Sequence, residues 1–296
     1  MIYVCMTGRL GNQMFQYAFA REISQLTGQK IVLNTYYLNK YTNYKFQLNI
    51  FRLINNNNIV IEENKPMPFF SNLMFYPTKI LRKFFPTFYR KLVSCFGGIV
   101  DLSMEYHGYS LKHKNFYILG YFQSELYFKE IKNILISDFN LLNFSGCNKN
   151  VSNLLEEIKN TESVCISVRR GDYVHNKNIK DKFYVCNEAY FNKAVDLMIR
   201  KKPNCVLYVF SDDPSWVKEN LFFPTKTYYE PIGLTIEEKI LLMSACKNFI
   251  LSNSSFSWRM QYLSKNTTNK IVIAPKDWFA NGDKTSIYEL QNFLYI

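Results

Sequence analysis

Two adjacent arginines, Arg169 and Arg170, follow an apolar run in the segment "RRGDY". A guanidinium group carries a fork of N–H donors that matches two phosphate oxygens. Asp172, in the same segment, can hold one of these arginines in place. The motif predicts a site for a phosphate-bearing ligand, and an internal Arg–Asp salt bridge is the alternative that involves no ligand.

A pair of carboxylates lies in a second polar segment, "FSDDPSW", which also follows an apolar run. Asp213 before Pro214 is typical of a helix N-cap followed by a first-turn proline. Capping needs only one carboxylate, so Asp212 can accept hydrogen bonds from a ribose or from guanine N–H groups. A second capping role or a solvated role for Asp212 is the alternative.

A third polar segment, "SNSSFSW", opens a predicted helix and contains Asn253, Ser254 and Ser255. An ordinary cap uses one Ser or Asn, so this run exceeds what capping requires. Hydroxyl and backbone N–H groups at a helix start favour anions, and here they indicate a pyrophosphate. Phe256 either stacks on a base or packs against its own helix.

Metal ligands are not apparent in the sequence. There is no D-x-D motif, and the three histidines have no ligand partners at a useful spacing. We therefore expect no metal cofactor, and we expect arginine to neutralise the phosphate charge.

The elements that must position these segments alternate between strands and helices. "SVCISV", "CVLYVF", "NFILS" and "KIVIAP" are typical of buried strands, and amphipathic helical segments separate them. Such alternation predicts a doubly wound parallel sheet, whose ligands bind beyond the carboxyl ends of the strands. The three polar segments then converge on one crevice, which indicates a nucleotide diphosphate site.

The first part of the chain predicts a second α/β unit. "IYVCM", a helix that ends at Gly28 and "KIVLN" form a strand–helix–strand pattern. Its loop, "GRLGNQ", lacks the third glycine of a dinucleotide-binding fingerprint. From Tyr36 to about Asn150 the sequence is aromatic and rich in Asn, which predicts insertions. We expect one domain over 1–150 and another over 151–296.

Composition limits the class of protein. A chain of 296 residues with a formal net charge of +12 predicts two domains and an anionic partner. The start has no signal-peptide pattern, no segment is long enough to span a bilayer, and the seven cysteines fit buried free thiols. These features predict a cytoplasmic protein.

The polar segments, taken together, resemble a known family. The segments "GRLGNQMFQYA", "GYFQSELYF", "SVRRGDY", "FYVCNEAYFNKA", "FSDDPSW", "LLMSACKNFILSNSSFSW" and "PKDWF" are similar, in this order, to those of the bacterial α-1,2-fucosyltransferases of glycosyltransferase family 11. The likeness extends from near Met1 to about Phe279. Ser167, where the family usually has His, departs from the pattern, as do Arg259 and Phe122, where it usually has Trp.

The resemblance implies a fold and a reaction. The fold is α/β of the GT-B type, with two facing Rossmann-like domains and a cleft between them. The N-terminal domain takes the acceptor and the C-terminal domain takes GDP-fucose. The reaction is an inverting, metal-independent transfer of L-fucose from GDP-β-L-fucose to the 2-hydroxyl of a galactoside in a cell-surface glycan such as O-antigen.

The resemblance also implies roles for individual residues. Arg169 grips the β-phosphate and the glycosidic oxygen, and Arg170 and Asn253 join it at the donor. Asp212 or Asp213 contacts the nucleoside, while Ser254, Ser255 and Phe256 contact the diphosphate and base. Asn12 faces the fucose or the reacting oxygens, with Gly8 and Gly11 allowing close backbone approach. Gln13, Gln123 and Glu125 are the expected acceptor-side residues. Glu125 and Asp172 are the candidate bases, and a dissociative route with little need for a base stays open.

Two other functions fit parts of the sequence. One is transfer of another GDP-sugar on the same fold. The other is nucleic-acid binding, suggested by the positive charge and the many Tyr and Phe residues, but no RNA-binding or helix-turn-helix signature supports it. We therefore expect no nucleic-acid partner.

The stretch "KILRKFFPTFYRKL" suggests contact with a membrane. Its basic residues alternate with apolar ones, and they are Lys79, Arg82, Lys83, Arg90 and Lys91. Peripheral docking at the inner face of the plasma membrane suits a lipid-linked acceptor. Pro86 interrupts a long helix, and a core helix with a solvated basic side is the alternative.

Overall fold

The computed structural model describes residues 1–68, 84–101, 103–142, 149–266 and 269–296. The chain forms two compact units. The first comprises Met1–Leu142 and Thr285–Leu290, and the second comprises Asn143–Lys284 and Gln291–Ile296. The change of unit thus lies a few residues before the expected position near 150, and a short late segment returns to the first unit.

The first unit is built on a parallel sheet of five described strands with the order β3-β2-β1-β5-β4. The strands are β1 (Ile2–Cys5), β2 (Ile31–Asn34), β3 (Ile59–Glu62), β4 (Gly98–Val100) and β5 (Phe116–Leu119). Its described α-helices are Leu10–Thr27, Tyr36–Tyr41, Pro86–Ser94 and Lys132–Asp138. Short 3-10 helices are Leu48–Ile50, Arg52–Asn55, Glu125–Tyr127 and Lys129–Ile131.

The helix Leu10–Thr27 connects β1 to β2, as the sequence predicts. It ends at Gly28, which is left-handed at φ 69°, and the Gly28 N–H donates to the Ser24 carbonyl over 2.8 Å. A glycine adopts this conformation without a steric penalty, so it terminates the helix at low cost. The helix buries an aromatic face, where the Phe19 and Phe122 rings stack with centroids 4.5 Å apart.

The second unit is built on a parallel sheet of six described strands with the order β11-β10-β9-β6-β7-β8. The strands are β6 (Glu162–Val168), β7 (Cys205–Ser211), β8 (Thr227–Tyr229), β9 (Asn248–Ile250), β10 (Val272–Ala274) and β11 (Leu294–Tyr295). Its described helices are Lys149–Asn160, Gly171–His175, Lys177–Phe183, Glu188–Lys201, Pro214–Asn220, Ile236–Ala245 and Ser255–Leu263.

The strand order of the second sheet places three loops side by side. β6 is hydrogen-bonded to β7 on one side and to β9 on the other. The chain runs outward from β6 through β7 to β8 on one side and from β9 through β10 to β11 on the other, so the β6–β9 boundary is a topological switch point, where open parallel sheets bind ligands. The loops after β6, β7 and β9 carry the three polar segments of this half of the chain.

The cysteines of the described residues are free thiols, as predicted, but the expectation that they are buried is wrong for Cys95. Cys95 is exposed, and the remaining described ones are buried: Cys5, Cys165, Cys186, Cys205 and Cys246. Cys147 lies outside the described residues. Burial raises the pKa of the Cys5 and Cys186 thiols to about 12.

The basic stretch considered for membrane contact is described only in part. Lys79, Arg82 and Lys83 lie outside the described residues, whereas Arg90 and Lys91 lie on the helix Pro86–Ser94. Of the helices in the described ranges, none combines the length and the apolar content required to pass through a bilayer.

Candidate active site

Arg169 follows β6 and contacts two carboxylates. Its guanidinium forms an ion pair with Asp172 and a second one with Asp212, in which the Nη1–Oδ2 distance is 2.6 Å. The Arg169 side chain is 18% exposed, so it is held in place yet reaches the surface. The internal salt bridge that the sequence left as an alternative is therefore present.

Arg170 has a different environment, although it is the next residue. Its guanidinium carbon lies 3.3 Å from the centroid of the Trp216 ring, and its Nε lies 3.3 Å from Asp213 Oδ2. Only 9% of the residue is exposed. These contacts link the loop after β6 to the helix after β7, so the structure favours a bracing role for Arg170 over the expected direct contact with the donor.

Asp213 and Asp212 have different partners, and the helix cap predicted for Asp213 is present. Asp213 caps the helix Pro214–Asn220 by accepting from the Trp216 N–H. Asp212 faces the other loop instead, and its Oδ1 accepts from the Arg170 backbone N–H over 2.8 Å. A Cβ at Gly171 would overlap with Asp212 Oδ2, so a larger residue there would displace the Asp212 carboxylate.

The helix Ser255–Leu263 begins at the same edge of the sheet. Its N-cap, Ser254, is extended and makes no side-chain cap hydrogen bond. Ser254, Ser255 and Phe256 are partly exposed, whereas the rest of the helix is buried. The first N–H groups of a helix have no intrahelical acceptor, so such a start attracts an anion.

A buried chain of hydroxyls supports this helix start. Ser257 Oγ lies 2.5 Å from Ser167 Oγ and 3.1 Å from Ser252 Oγ. Ser167 is the position at which the family usually has His. In this chain its hydroxyl joins β6 to the helix instead.

Tyr173 and Asn253 connect the arginine loop to the helix start. The Arg169 guanidinium lies 5.4 Å from the Tyr173 ring centroid, and the Tyr173 hydroxyl donates to the Asn253 carbonyl over 3.1 Å. The Asn253 side-chain amide donates to the carbonyls of Phe183 and Trp278. Asn253, which is 1% exposed, thus holds the loop in place from its buried side. Because its amide already has two carbonyl partners, a direct contact between this amide and the donor is disfavoured.

The loop after β1 holds the candidate residues of the first unit. Gly8 is left-handed at φ 73°, and a Cβ there would overlap with the Asn12 side chain. Asn12 Oδ1 accepts from Gln123 Nε2 over 2.6 Å, so these two predicted residues are neighbours. Gly11 lies in the first turn of the helix Leu10–Thr27.

Gln13 and Glu125 differ in their surroundings. Gln13 has no exposed area, and its Nε2 donates to the carbonyls of Gly8 and Lys45. Its Oε1 accepts from the Gln47 N–H, so the amide braces the loop and is disfavoured as an acceptor ligand. Glu125 is partly exposed at the start of a 3-10 helix, two residues after Gln123.

Asp101 organises the loop that carries Gln123, and the sequence did not single it out. Its carboxylate accepts backbone N–H groups from Phe122 over 2.7 Å, Met104 over 2.8 Å and Ser103 over 3.2 Å. Phe122 and Met104 are both left-handed, at φ 53° and 58°. Burial raises the pKa of Asp101, and the N–H groups act in the opposite direction. A lone Asp after a short strand gives no signal of this role.

Within the described ranges, no group of three or more His, Cys, Asp or Glu side chains is placed to hold a metal ion.

The architecture matches that of solved glycosyltransferases. NodZ alpha-1,6-fucosyltransferase co-crystallized with GDP superposes with a TM-score of 0.53 at 14% sequence identity, over 92% of this chain and 94% of that one. A fucosyltransferase NodZ structure from Bradyrhizobium gives a TM-score of 0.50. At this identity the likeness concerns the fold alone. Two α/β units with parallel sheets and these polar loops define a glycosyltransferase fold of the GT-B type.

The family follows from the sequence comparison. The family model "Glycosyl transferase family 11" matches residues 1–296. The chain belongs to glycosyltransferase family 11, and it is a glycosyltransferase.

Two curated relatives span nearly the whole chain. The O-antigen biosynthesis glycosyltransferase WbnK of Escherichia coli is 28% identical and covers 97% of both chains. An alpha-1,2-colitosyltransferase of Escherichia coli is 33% identical over 95% of this chain and 93% of its own. A galactoside 2-alpha-L-fucosyltransferase of Caenorhabditis elegans is 32% identical over 36% of this chain and 30% of its own.

Proposed function

We propose that this family 11 enzyme transfers L-fucose from GDP-β-L-fucose to the 2-hydroxyl of a galactose in a cell-surface glycan. The product has an α-1,2 linkage, the anomeric configuration is inverted, and no metal is required. The observation that carries the proposal is the continuity between Arg169, Tyr173 and the loop that opens the helix at Ser255. It brings a guanidinium and a helix start to one sheet edge.

The donor diphosphate is assigned to this edge. Its oxygens accept hydrogen bonds from Arg169 and from the helix start at Ser254 and Ser255. Asp212 accepts a hydrogen bond from the guanosine, and Phe256 lies against the base. The positive charge of Arg169 is neutralised by two carboxylates, so a phosphate must replace at least one of them as a partner of the guanidinium. The helix start supplies the additional positive potential.

The acceptor is assigned to the first unit, where the Asn12–Gln123 pair carries hydrogen-bonding groups that suit a sugar. Glu125 follows in the same loop. The relatives named for O-antigen biosynthesis and for galactoside fucosylation support a galactose-containing glycan as the acceptor.

Charge stabilisation is the main catalytic task. In an inverting transfer through an oxocarbenium-like transition state, negative charge accumulates on the departing GDP. Arg169 and the helix start face that charge as fixed donors, which lowers the barrier without a metal. Asp172 orients Arg169 through their ion pair, and Glu125 and Asp172 are the two candidates for the base.

Colitosyl transfer is the second candidate function, because the relative with 33% identity over 95% of this chain is named for it. Colitose is fucose without its 3-hydroxyl group. The two functions therefore differ in one donor hydroxyl and share the diphosphate site and the linkage.

A donor panel tests the proposal. The purified enzyme is incubated with GDP-fucose, GDP-colitose or GDP-mannose, a set of β-galactosides, and buffer with or without EDTA. We expect α-1,2-fucosylated product, identified by linkage analysis, at a rate that EDTA leaves unchanged. Preference for GDP-colitose would select the second candidate, and a rate abolished by EDTA would contradict the metal-free assignment.

Arg169 offers a test at the level of one side chain. We expect Arg169→Ala to lower the transfer rate by about 100-fold or more, because a preorganised donor to the leaving phosphate is lost. Arg169→Lys keeps the charge but not the fork of donors, so an intermediate rate is expected. Steady-state kinetics and GDP titration measure both effects.

Arg200 supplies the matched control, because it is an exposed arginine on the helix Glu188–Lys201. Arg200→Ala should retain full turnover. Near-normal turnover of Arg169→Ala would overturn the assignment, provided that its melting temperature matches that of the control.

A further inference from the structure

The helix Pro86–Ser94 packs on the first unit by one face only. Tyr89 and Val93, which are 2% and 3% exposed, contact the cluster that contains Val100 and Leu119. Pro86 occupies the first turn, where a backbone N–H has no intrahelical acceptor and the missing N–H of proline costs no hydrogen bond. This short helix therefore starts at the proline. Part of this stretch therefore forms a core helix, which is the alternative to membrane contact that the sequence left open. The core contacts account for only part of its apolar side chains.

The other face of this region is apolar and exposed to solvent. We call it the exposed apolar patch, and it consists of Phe84, Phe85, Phe88, Leu92 and Phe96. These side chains are 63%, 61%, 59%, 43% and 51% exposed, respectively. A contiguous group of large apolar side chains at the surface marks an interaction site, whereas a single exposed one needs no explanation.

In the stretch of sequence that contains the patch, every charged residue is basic. No acidic residue occurs between Glu63 and Asp101. The basic residues of that interval are Lys65, Lys79, Arg82, Lys83, Arg90 and Lys91. In the helix itself, Lys91 is exposed, whereas Arg90 donates to Ser103 Oγ over 3.0 Å.

The exposed aromatic rings and the basic residues together indicate which kind of surface this patch binds. Aromatic side chains beside basic ones, with no acidic residue in the interval, complement an anionic phospholipid surface, where rings enter the interface and lysines meet headgroups. A second copy of the chain is disfavoured, because it would bring two regions of the same charge together.

We infer that the exposed apolar patch docks this enzyme peripherally on an anionic phospholipid bilayer. The rings of Phe85 and Phe88 insert at the level of the headgroups, and Lys91 contributes electrostatic attraction. Docking keeps the enzyme at a surface where lipid-linked glycans reside. The inference does not depend on the sugar that is transferred.

Vesicle flotation tests the inference with the full-length protein. The protein is mixed with phosphatidylcholine vesicles, with or without phosphatidylglycerol, at low and at high salt. We expect binding to the anionic vesicles that weakens with salt. Phe85→Ser with Phe88→Ser should reduce partitioning by about tenfold for each side chain, and Lys91→Glu should reduce it at low salt.

Ile232→Ser is the matched control, because Ile232 is 87% exposed in the second unit, and it should bind vesicles like the unchanged protein. GDP affinity and melting temperature should remain the same in every variant, because all the altered side chains are exposed. Unchanged flotation of the double variant, equal binding to neutral vesicles, or self-association that the double variant abolishes without any vesicle binding would each overturn the inference.

Discussion

Arg169 and Arg170 are adjacent, yet their guanidinium groups have different partners. The motif predicts that both arginines meet an anion, and it also predicts that Asp213 caps a helix while Asp212 is used elsewhere. The structure agrees for Asp213. It separates the arginines because Trp216, on the helix Pro214–Asn220, covers Arg170 at 3.3 Å. Such a contact joins residues that are distant in sequence, so a strand-end pattern alone cannot assign the two roles.

Gly171 provides a prediction at this scale. Gly171→Ala should displace Asp212, since the new Cβ would occupy the position of its Oδ2, and the Arg169–Asp212 ion pair would loosen. We expect GDP affinity to fall by about tenfold, which corresponds to one weakened charged interaction. Isothermal titration calorimetry measures the change.

Gly108→Ala is the control for this substitution, because a Cβ at Gly108 meets nothing within 4 Å. It should bind GDP normally. If Gly171→Ala binds GDP as tightly as the control does, the loop after β7 has no part in donor binding.

At the scale of elements, the regular parts were predictable and the irregular parts were not. The strands β6, β7, β9 and β10 are mostly apolar and alternate with helical segments, so their order could be inferred from the sequence. The loop of Gln123 could not. It depends on a buried carboxylate, Asp101, that holds Phe122 and Met104 in left-handed conformations. Non-glycine residues rarely adopt this conformation, and no sequence pattern announces it.

Asp101 yields the corresponding prediction. Asp101→Asn replaces one carboxylate oxygen by an NH2 group, which cannot accept a hydrogen bond. The backbone N–H groups of Phe122, Met104 and Ser103 use both oxygens of Asp101, so at least one of these donors loses its acceptor. The loop should shift, and the Asn12–Gln123 pair should separate. We expect KM for the acceptor to rise by about tenfold while the Kd for GDP stays unchanged.

The split between these two constants distinguishes positioning of the acceptor from general destabilisation. Asp196→Asn, at an exposed carboxylate on the helix Glu188–Lys201, should change neither constant. A parallel loss of GDP affinity in Asp101→Asn would contradict a role confined to the acceptor loop.

At the scale of the whole molecule, the two-unit organisation was predicted, but the return of Thr285–Leu290 to the first unit was not. That return depends on contacts such as the Ser286 N–H donating to the Met104 carbonyl over 2.9 Å. The two residues are far apart in sequence and carry no shared pattern. The stretch from Tyr36 to about Asn150 was equally hard to interpret, because it contains short strands and 3-10 helices in which hydrophobic periodicity is weak.

Thiol chemistry tests the packing of both units at once. Buried thiols with a pKa of about 12, such as Cys5 and Cys186, form little thiolate at neutral pH and should resist Ellman's reagent until the protein unfolds. Cys95 is exposed and should react at once. In a Cys147→Ser background we therefore expect one fast thiol among six, and Cys95→Ser should remove it. Rapid labelling of Cys5 or Cys186 in the native protein would contradict the packing.

The position of that reactive thiol has a practical consequence. Cys95 directly precedes Phe96 and follows the helix Pro86–Ser94, so it lies beside the side chains that we assign to the bilayer. The chain therefore carries its own footprinting probe. A water-soluble maleimide should modify Cys95 in free solution and be excluded when anionic vesicles are present, and an environment-sensitive fluorophore attached there should shift its emission to the blue on the same vesicles.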